Sequence, residues 1–160
     1  MTSGIVETFN GMPVHYIDAQ DALEAAAAGW LRREVVALDT EFMRVRTFHA
    51  QAALFQVCDG ETCFLVDPLA VGDLAPLARL LDARDVLKVM HSCSEDLEVC
   101  DRHLGTLPDP LVDTQIVAAF CGYPLSVGYQ KMLAAEFDVH LGKSETRTDW
   151  LQRPLSPAQI

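Results

Sequence analysis

The 160-residue sequence has no apolar run near the ~18 residues that a membrane-spanning helix requires, and its start, MTSGIVETFNGMPVHY, has no basic opening followed by a long apolar stretch. These absences argue against a transmembrane segment and a signal peptide, so the expectation is a soluble, cytoplasmic protein with no membrane partner. No repeat, low-complexity tract or linker interrupts the chain, which leaves one domain. Its five cysteines are odd in number and include no CxxC, so the thiols are read as reduced packing residues rather than a disulfide framework. His91-x-Cys93 with Cys100-x-x-His103 can be drawn as a zinc site, but its members fall on a strand end and an adjacent helix without the paired spacing of such sites. Positive charge is scarce too: 12 Lys and Arg face 23 Asp and Glu, a net charge of −11. The summed field repels polyanions and argues against a broad phosphate-binding surface, while leaving room for a local site whose carboxylates a metal neutralises. The bases cluster as Arg44 and Arg46, then Lys143, Arg147 and Arg153, and read as solvated faces.

Half of the residues are hydrophobic, enough for a real core. PVHYID reads as a short strand, and Asp18 or Asp21 can cap a helix over ALEAAAAGWLRR. AALFQVC and ETCFLVD, separated by Asp59-Gly60, predict an antiparallel hairpin with a two-residue type I′ turn. DLAPLARLLDARD sets leucines on one helical face, VLKVMH returns to strand, and Ser92 or Ser94 can cap a helix with Leu97, Cys100 and Leu104 as its apolar stripe. Asp113 can cap TQIVAAFCG and Ser126 can cap VGYQKMLAAEFD; Ser156 before Pro157 reads as another helix start. Three strands in a meander, then a helix, a strand and more helices make a mixed α/β sheet with helical cover. A ribonuclease-H-like arrangement with helices on both faces fits that order.

The chemistry concentrates in VVALDTEF, Val35 to Phe42. Its four leading apolar residues read as a buried strand that ends in Asp39 and Glu41, and residues two apart on a strand share a face. Two carboxylates side by side resist ionising together, so a positive charge is expected between them: an Arg or Lys in a structural ion pair, or a metal. A second acidic element, HSCSEDLEV, sets Glu95 and Asp96 in the first turn of a helix, where the helix dipole by itself favours carboxylates. The combination of a same-face pair and a nearby third acid suits hard divalent cations such as Mg²⁺ or Mn²⁺, which prefer oxygen ligands. A pair of such ions can activate water and stabilise the leaving oxygen of a phosphodiester. A haloacid-dehalogenase-type phosphatase would want Asp-x-Asp, whereas this is Asp-x-Glu.

ALDTEF, TFHAQAALFQV, HSCSEDLEV, DTQIVAAF and KSETRTDWLQRPLS, in this order from about Val35 to Ile160, resemble the exonuclease domain of the ribonuclease D family, within the DEDD superfamily of 3′-to-5′ exonucleases. The resemblance implies the ribonuclease-H-like fold and matches Asp39 and Glu41 to the first motif. It also decides for Asp96 over Glu95 as the second motif's ligand, so that Asp39, Glu41 and Asp96 are the expected catalytic metal ligands. Ala50 departs from the Pro common in the family, an alteration of loop stiffness more than chemistry. The family's third motif, a Tyr and an Asp four residues later, lies just beyond RPLSPAQ in related sequences. Residues 1–160 are therefore expected to form an exonuclease domain incomplete at its C-terminus and weak or inactive by itself.

What the resemblance implies for function is removal of nucleotides from RNA with a free 3′ end, tRNA precursors foremost, with helical C-terminal domains assisting RNA binding in the full-length protein. It also suggests substrate contacts from Thr40, Phe42, His91, Lys143, Arg147 and Trp150. Core packing is the alternative for Phe42 and Trp150, and a satisfied structural histidine the alternative for His91. A non-catalytic RNA-binding or scaffold module on the same fold, with Asp39 and Glu41 paired to Arg44 or Arg46, or a DNA-directed exonuclease, are the competing readings; a 2′-hydroxyl contact leaves no motif to separate RNA from DNA.

Overall fold

The computed structural model describes residues 4–9 in backbone only, then residues 11–45, 47–140 and 148–160. Among the described residues the chain runs β1 (Gly4–Phe9), β2 (Met12–Ile17), α1 (Gln20–Trp30), β3 (Val35–Met43), β4 (Gln51–Cys58), β5 (Cys63–Val66), α2 (Ala75–Asp82), β6 (Leu87–Met90), α3 (Ser94–Leu104), β7 (Leu111–Asp113), α4 (Thr114–Phe120) and α5 (Tyr129–Phe137). The strands make one mixed sheet in the order β1-β2-β5-β4-β3-β6-β7. The meander β3-β4-β5 is antiparallel, while β2 joins β5 and β6 joins β3 in parallel. The carboxylate strand thus lies inside the sheet, with β6 beside its first residues Val35–Ala37 and β4 beside it through Asp39 and Glu41 to Met43.

One face of the sheet is covered by helices. Leu23, Ala27 and Trp30 of α1, Leu77, Leu80 and Leu81 of α2, and Val99 and Cys100 of α3 bury against Val36, Phe55, Val57 and Val66. The α2 leucines follow their helical spacing, and Val99 joins Cys100 as the buried center of the α3 stripe. Lys88 is buried within β6 because its ammonium donates to the carbonyls of Ala83 and Asp109, both at 2.7 Å. The other face carries a smaller cluster, in which Trp150 and Leu155 from the C-terminal segment pack on Val14, Ala53, Leu54 and Leu65.

An ion-pair network holds that segment down. Arg153 grips Asp67 with two bonds, at 2.5 and 2.7 Å, and donates to the Ala53 carbonyl at 2.7 Å, while the Tyr16 hydroxyl also donates to Asp67. Arg153 is therefore an internal clamp, not a residue of a solvated face. Asp67 is 2% exposed; burial works against its charge, but Arg153, Tyr16 and the Leu69 N–H hold its carboxyl below the usual range.

Several local expectations are corrected. β1, which pairs antiparallel with β2, has no counterpart in the sequence reading. Cys58 pairs with Cys63, so the hairpin loop is Asp59–Thr62 and not two residues; the Asp59 carboxylate accepts from the Glu61 and Thr62 N–H groups and closes it. Helix α1 begins after Ala19, α3 after Cys93 and α5 after Gly128, none with a side-chain cap, so Asp18, Asp21, Ser92, Ser94 and Ser126 do not serve as N-caps. Asp113 does cap α4, accepting from Gln115 N–H at 2.8 Å. The stretch after Ser156 is a single turn.

Candidate active site

Asp39 and Glu41 leave β3 on one face, opposite Gln56 and Leu54 of β4. Immediately after Glu41 the ladder slips: Glu41 pairs with Leu54 but Phe42 with Ala52, leaving Ala53 as the extra residue of a bulge. A bulge bends its strand and increases its twist, so the local geometry around Glu41 is set by backbone. Ala53 turns its carbonyl to Arg153, which ties the bulge to the C-terminal clamp.

Thr40 points to the opposite face, is 7% exposed, and its hydroxyl donates to Asp96 Oδ1 at 2.5 Å. The third acid is thereby fastened to the strand that bears the other two. Asp96 is buried in the first turn of α3 and Glu95 is exposed, so the inward residue of the pair is Asp96. The approach to α3 is also fixed. Ser92 adopts φ 57°, a conformation uncommon outside glycine, and the Asp113 carboxylate accepts from Ser92 N–H at 2.9 Å and Cys93 N–H at 3.0 Å. Burial opposes the Asp113 charge, but these backbone donors hold its pKa below the ordinary value.

The three carboxylates feel one another. Burial, then the Asp96 charge, pushes Asp39 up to about 6, against a backbone hydrogen bond at Thr40 that favours the anion. Burial, then Asp39 and Asp96, pushes Glu41 up to about 7. Asp96 is also raised, by burial first, against the stabilising bond from Thr40. The Asp39 residue is nevertheless exposed to solvent, while Glu41 is half-buried. Among the described residues no base pairs with Asp39 or Glu41. Arg44 turns to Glu98 at 2.8 Å, with Glu95 at 3.9 Å, and Arg46 lies outside the described residues. A structural ion pair through Arg44 is thus ruled out.

The donor set fits a hard divalent cation: three oxygen ligands, each disfavoured as an anion where it stands. Among the described residues no three Asp, Glu, His or Cys side chains are drawn together as a ready cage, so the acids are neighbours and not a preformed coordination sphere. Asp113 and Asp149 add nothing to the set; the first holds the turn before α3 and caps α4, and the second accepts from Leu151 N–H at 3.0 Å.

The residues expected to touch substrate are dispersed. His91 is a tie between elements: Nδ1 is 2.8 Å from the Thr114 hydroxyl and Nε2 is 3.1 Å from the Val127 carbonyl. Phe42 is half-buried against the helical core, and Trp150 is buried in the second cluster, so its ring is a packing surface and not a stacking platform. The Thr40 hydroxyl is committed to Asp96. Lys143 and Arg147 lie outside the described residues. The drawn zinc arrangement does not form: Cys93 Sγ donates to Asp113, and His103 Nε2 faces Ala50 O and Ala52 N. The Thr40 tie, the Asp113 brace and the Arg153 clamp were missed because each joins residues far apart in sequence; only the capping position of Asp113 had a local signal.

A mixed sheet with acidic neighbours at the end of an internal strand suits a nuclease domain, and residues 14–160 match the family of 3′-5′ exonuclease domains, to which the chain belongs. The chain is 48% identical over 147 residues to ribonuclease D of Pseudomonas paraeruginosa, covering 92% of this chain and 39% of that protein. It is 46% identical over 148 residues to ribonuclease D of Escherichia coli, covering 92% and 40%. The crystal structure of the Escherichia coli enzyme, described as an exoribonuclease involved in structured RNA processing, matches with TM-score 0.89. The fold also matches ribonuclease D of Trypanosoma brucei in complex with RNA U12, at TM-score 0.77 and 21% identity over 90% of this chain and 55% of that one. The chain spans about 40% of the length of the curated ribonuclease D relatives named here. No helix among the described residues is long and apolar enough to cross a membrane.

Proposed function

We propose that this domain removes nucleotides one at a time from the 3′ end of RNA, releasing nucleoside 5′-monophosphates, with Mg²⁺ or Mn²⁺ held by Asp39, Glu41 and Asp96. The observation that supports this most directly is the unpaired acidic group on β3, raised in pKa by burial and mutual charge, in a chain of the 3′-5′ exonuclease family. When bound, a pair of divalent ions supplies an activated water and charge stabilisation for the leaving 3′ oxygen. The protein's own part is positional. The bulge sets the local geometry at Glu41, Thr40 fixes the carboxylate of Asp96, and the Asp113 brace fixes the turn from which α3 starts. Small structured RNAs such as tRNA precursors, delivered with the help of further helical domains, are the proposed substrates, and the cytoplasm the proposed compartment. The described residues offer three suitable carboxylates where two ions call for about one more, so the 160 residues alone are expected to hydrolyse RNA slowly or not at all.

The test is metal-dependent stability. Mn²⁺ should raise the thermal midpoint of the chain, and Asp39→Asn should abolish the rise. An unchanged midpoint in the wild-type chain would favour a scaffold role for the fold.

A further inference from the structure

Three sulfur atoms meet on the sheet at the end of the β4–β5 hairpin. Cys58 and Cys63 are directly opposed. The next pair outward, Asp59 and Thr62, is joined by a backbone hydrogen bond of 3.1 Å, so the cysteines occupy a non-hydrogen-bonded pair, the kind in which side chains stand closest. The two thiols contact each other, and both donate to the Met12 thioether at the start of β2, Cys58 at 3.5 Å and Cys63 at 3.4 Å. All three residues are half-buried. Thiol-to-thioether hydrogen bonds are weak, and an aliphatic residue would fill the place of Met12 as well.

Sulfurs in this triangle are suited to a soft cation. Metal–sulfur bonds of about 2.3 Å in a trigonal plane set the sulfurs roughly 4 Å apart, so the two edges that meet at Met12 have to open by only about half an ångström. Thiolate and thioether ligands select Cu(I)-like ions over the hard cations that carboxylates bind. Zinc would seek a fourth donor, and the nearby candidates are committed. Asp59 is held by Arg33 and by the Glu61 and Thr62 N–H groups, and His15 packs on Phe64, with ring centroids 5.7 Å apart, on the opposite face of the sheet. We propose that Met12, Cys58 and Cys63 form a three-coordinate site for a soft monovalent cation of the Cu(I) or Ag(I) class. On loading, the two thiols release their protons to solvent, two thiolate–metal bonds form, and the thioether adds the third. No electron is transferred, and the neutral cluster becomes a complex of net charge −1.

The reduced chain, kept anaerobic, would be titrated with Cu(I) against a chromophoric Cu(I) chelator, and with Ag(I) as a redox-inert probe. One equivalent should bind. Cys58→Ser and Cys63→Ser, which each remove a direct thiolate ligand, should weaken it by about 100-fold or more, above the roughly 10- to 100-fold that loss of an outer-shell partner costs, and Met12→Leu about 10-fold. Cys121→Ala, which removes the exposed thiol, should change nothing. X-ray absorption should count three sulfurs in the wild type and two in Met12→Leu, which decides the matter even if a cysteine variant fails to fold. Two sulfurs in the wild type, or binding that follows Cys93, Cys100 or Cys121, would overturn the site.

Discussion

The two faces of β3 do different work. Val36, Leu38 and Phe42 face the helices, and Val36 is 1% exposed within the main core. Val35, its neighbour on the other face, is 47% exposed, and that face continues through Ala37 to Asp39 and Glu41. Burial on one side anchors the strand while the other is left open enough for charge and ligands. Thr40 joins the two regimes: its backbone belongs to the acidic strand, and its hydroxyl, buried on the packed side, holds Asp96. The difference teaches that the acids are held from both sides: Asp96 is fixed through Thr40 from the packed side, and the geometry at Glu41 through the bulge that Arg153 ties down.

The largest expected effect is on the open face. In a catalytically competent form of the protein, Asp39→Ala should lower hydrolysis of a 3′-hydroxyl RNA by about 10³-fold or more while RNA affinity changes little, because the carboxylate serves the reacting phosphate and not the grip on the chain. Near-wild-type turnover would remove Asp39 from the mechanism. On the packed side the matching change is Leu80→Ala, in helix α2 within the core against that face, at a residue with 0% exposure. It should cost about 3 kcal/mol of stability by denaturant unfolding, whereas Val35→Ala should stay within about 0.5 kcal/mol. Equal losses would mean that the open face is covered in solution.

Thr40→Val tests the link between the faces. The isostere keeps β-branching and volume but leaves Asp96 without its donor, a change of about 1–2 kcal/mol in which the lost bond and the freed carboxylate both count. Its signature should be a weakened Mn²⁺-induced stabilisation together with an upward shift in the Asp96 titration followed by NMR. A purely structural threonine would lower the thermal midpoint without moving either readout.

Sequence periodicity was enough to set Asp39 and Glu41 on a common face, because alternation along a strand is local and nearly invariant. The α2 leucines and the Asp113 cap were legible for the same reason. What escaped was non-local. Arg153 reads as a surface base until Asp67 is found 86 residues away, and the Thr40–Asp96 bond spans 56 residues. Cys58 and Cys63 could be set opposite each other from the hairpin, but Met12 enters only because β2 lies beside β5 in parallel, a pairing with no turn to announce it. Asp59-Gly60 is a strong two-residue turn signal in the sequence, but the Asp59 side chain closes a longer loop instead.

The smallest effect concerns pH and separates the faces by sign. Glu41 titrates near 7 and Asp39 near 6 in the folded protein, both above the ordinary carboxylate values they hold in the unfolded chain. Between about pH 4 and pH 7 the folded state therefore binds more protons than the unfolded state, and stability falls as pH rises through that window. Asp67 and Asp113 are shifted the other way, so their stabilisation is present above the ordinary carboxylate range and is lost as pH falls below it. The metal-free chain should be most stable at about pH 4, where the two limbs meet. Glu41→Gln removes one proton-binding group from the open face. It should flatten the neutral limb and raise stability at pH 8 by about 1 kcal/mol, after allowance for the partial solvent access of the side chain. The acid limb should not move, because it belongs to carboxylates held by Arg153 and backbone donors. Mn²⁺ should mimic the variant at pH 8 and have little effect at pH 5, where protons already occupy the acids. A neutral limb that survives Glu41→Gln unchanged would assign the slope to other groups and leave the acidic face without its inferred strain.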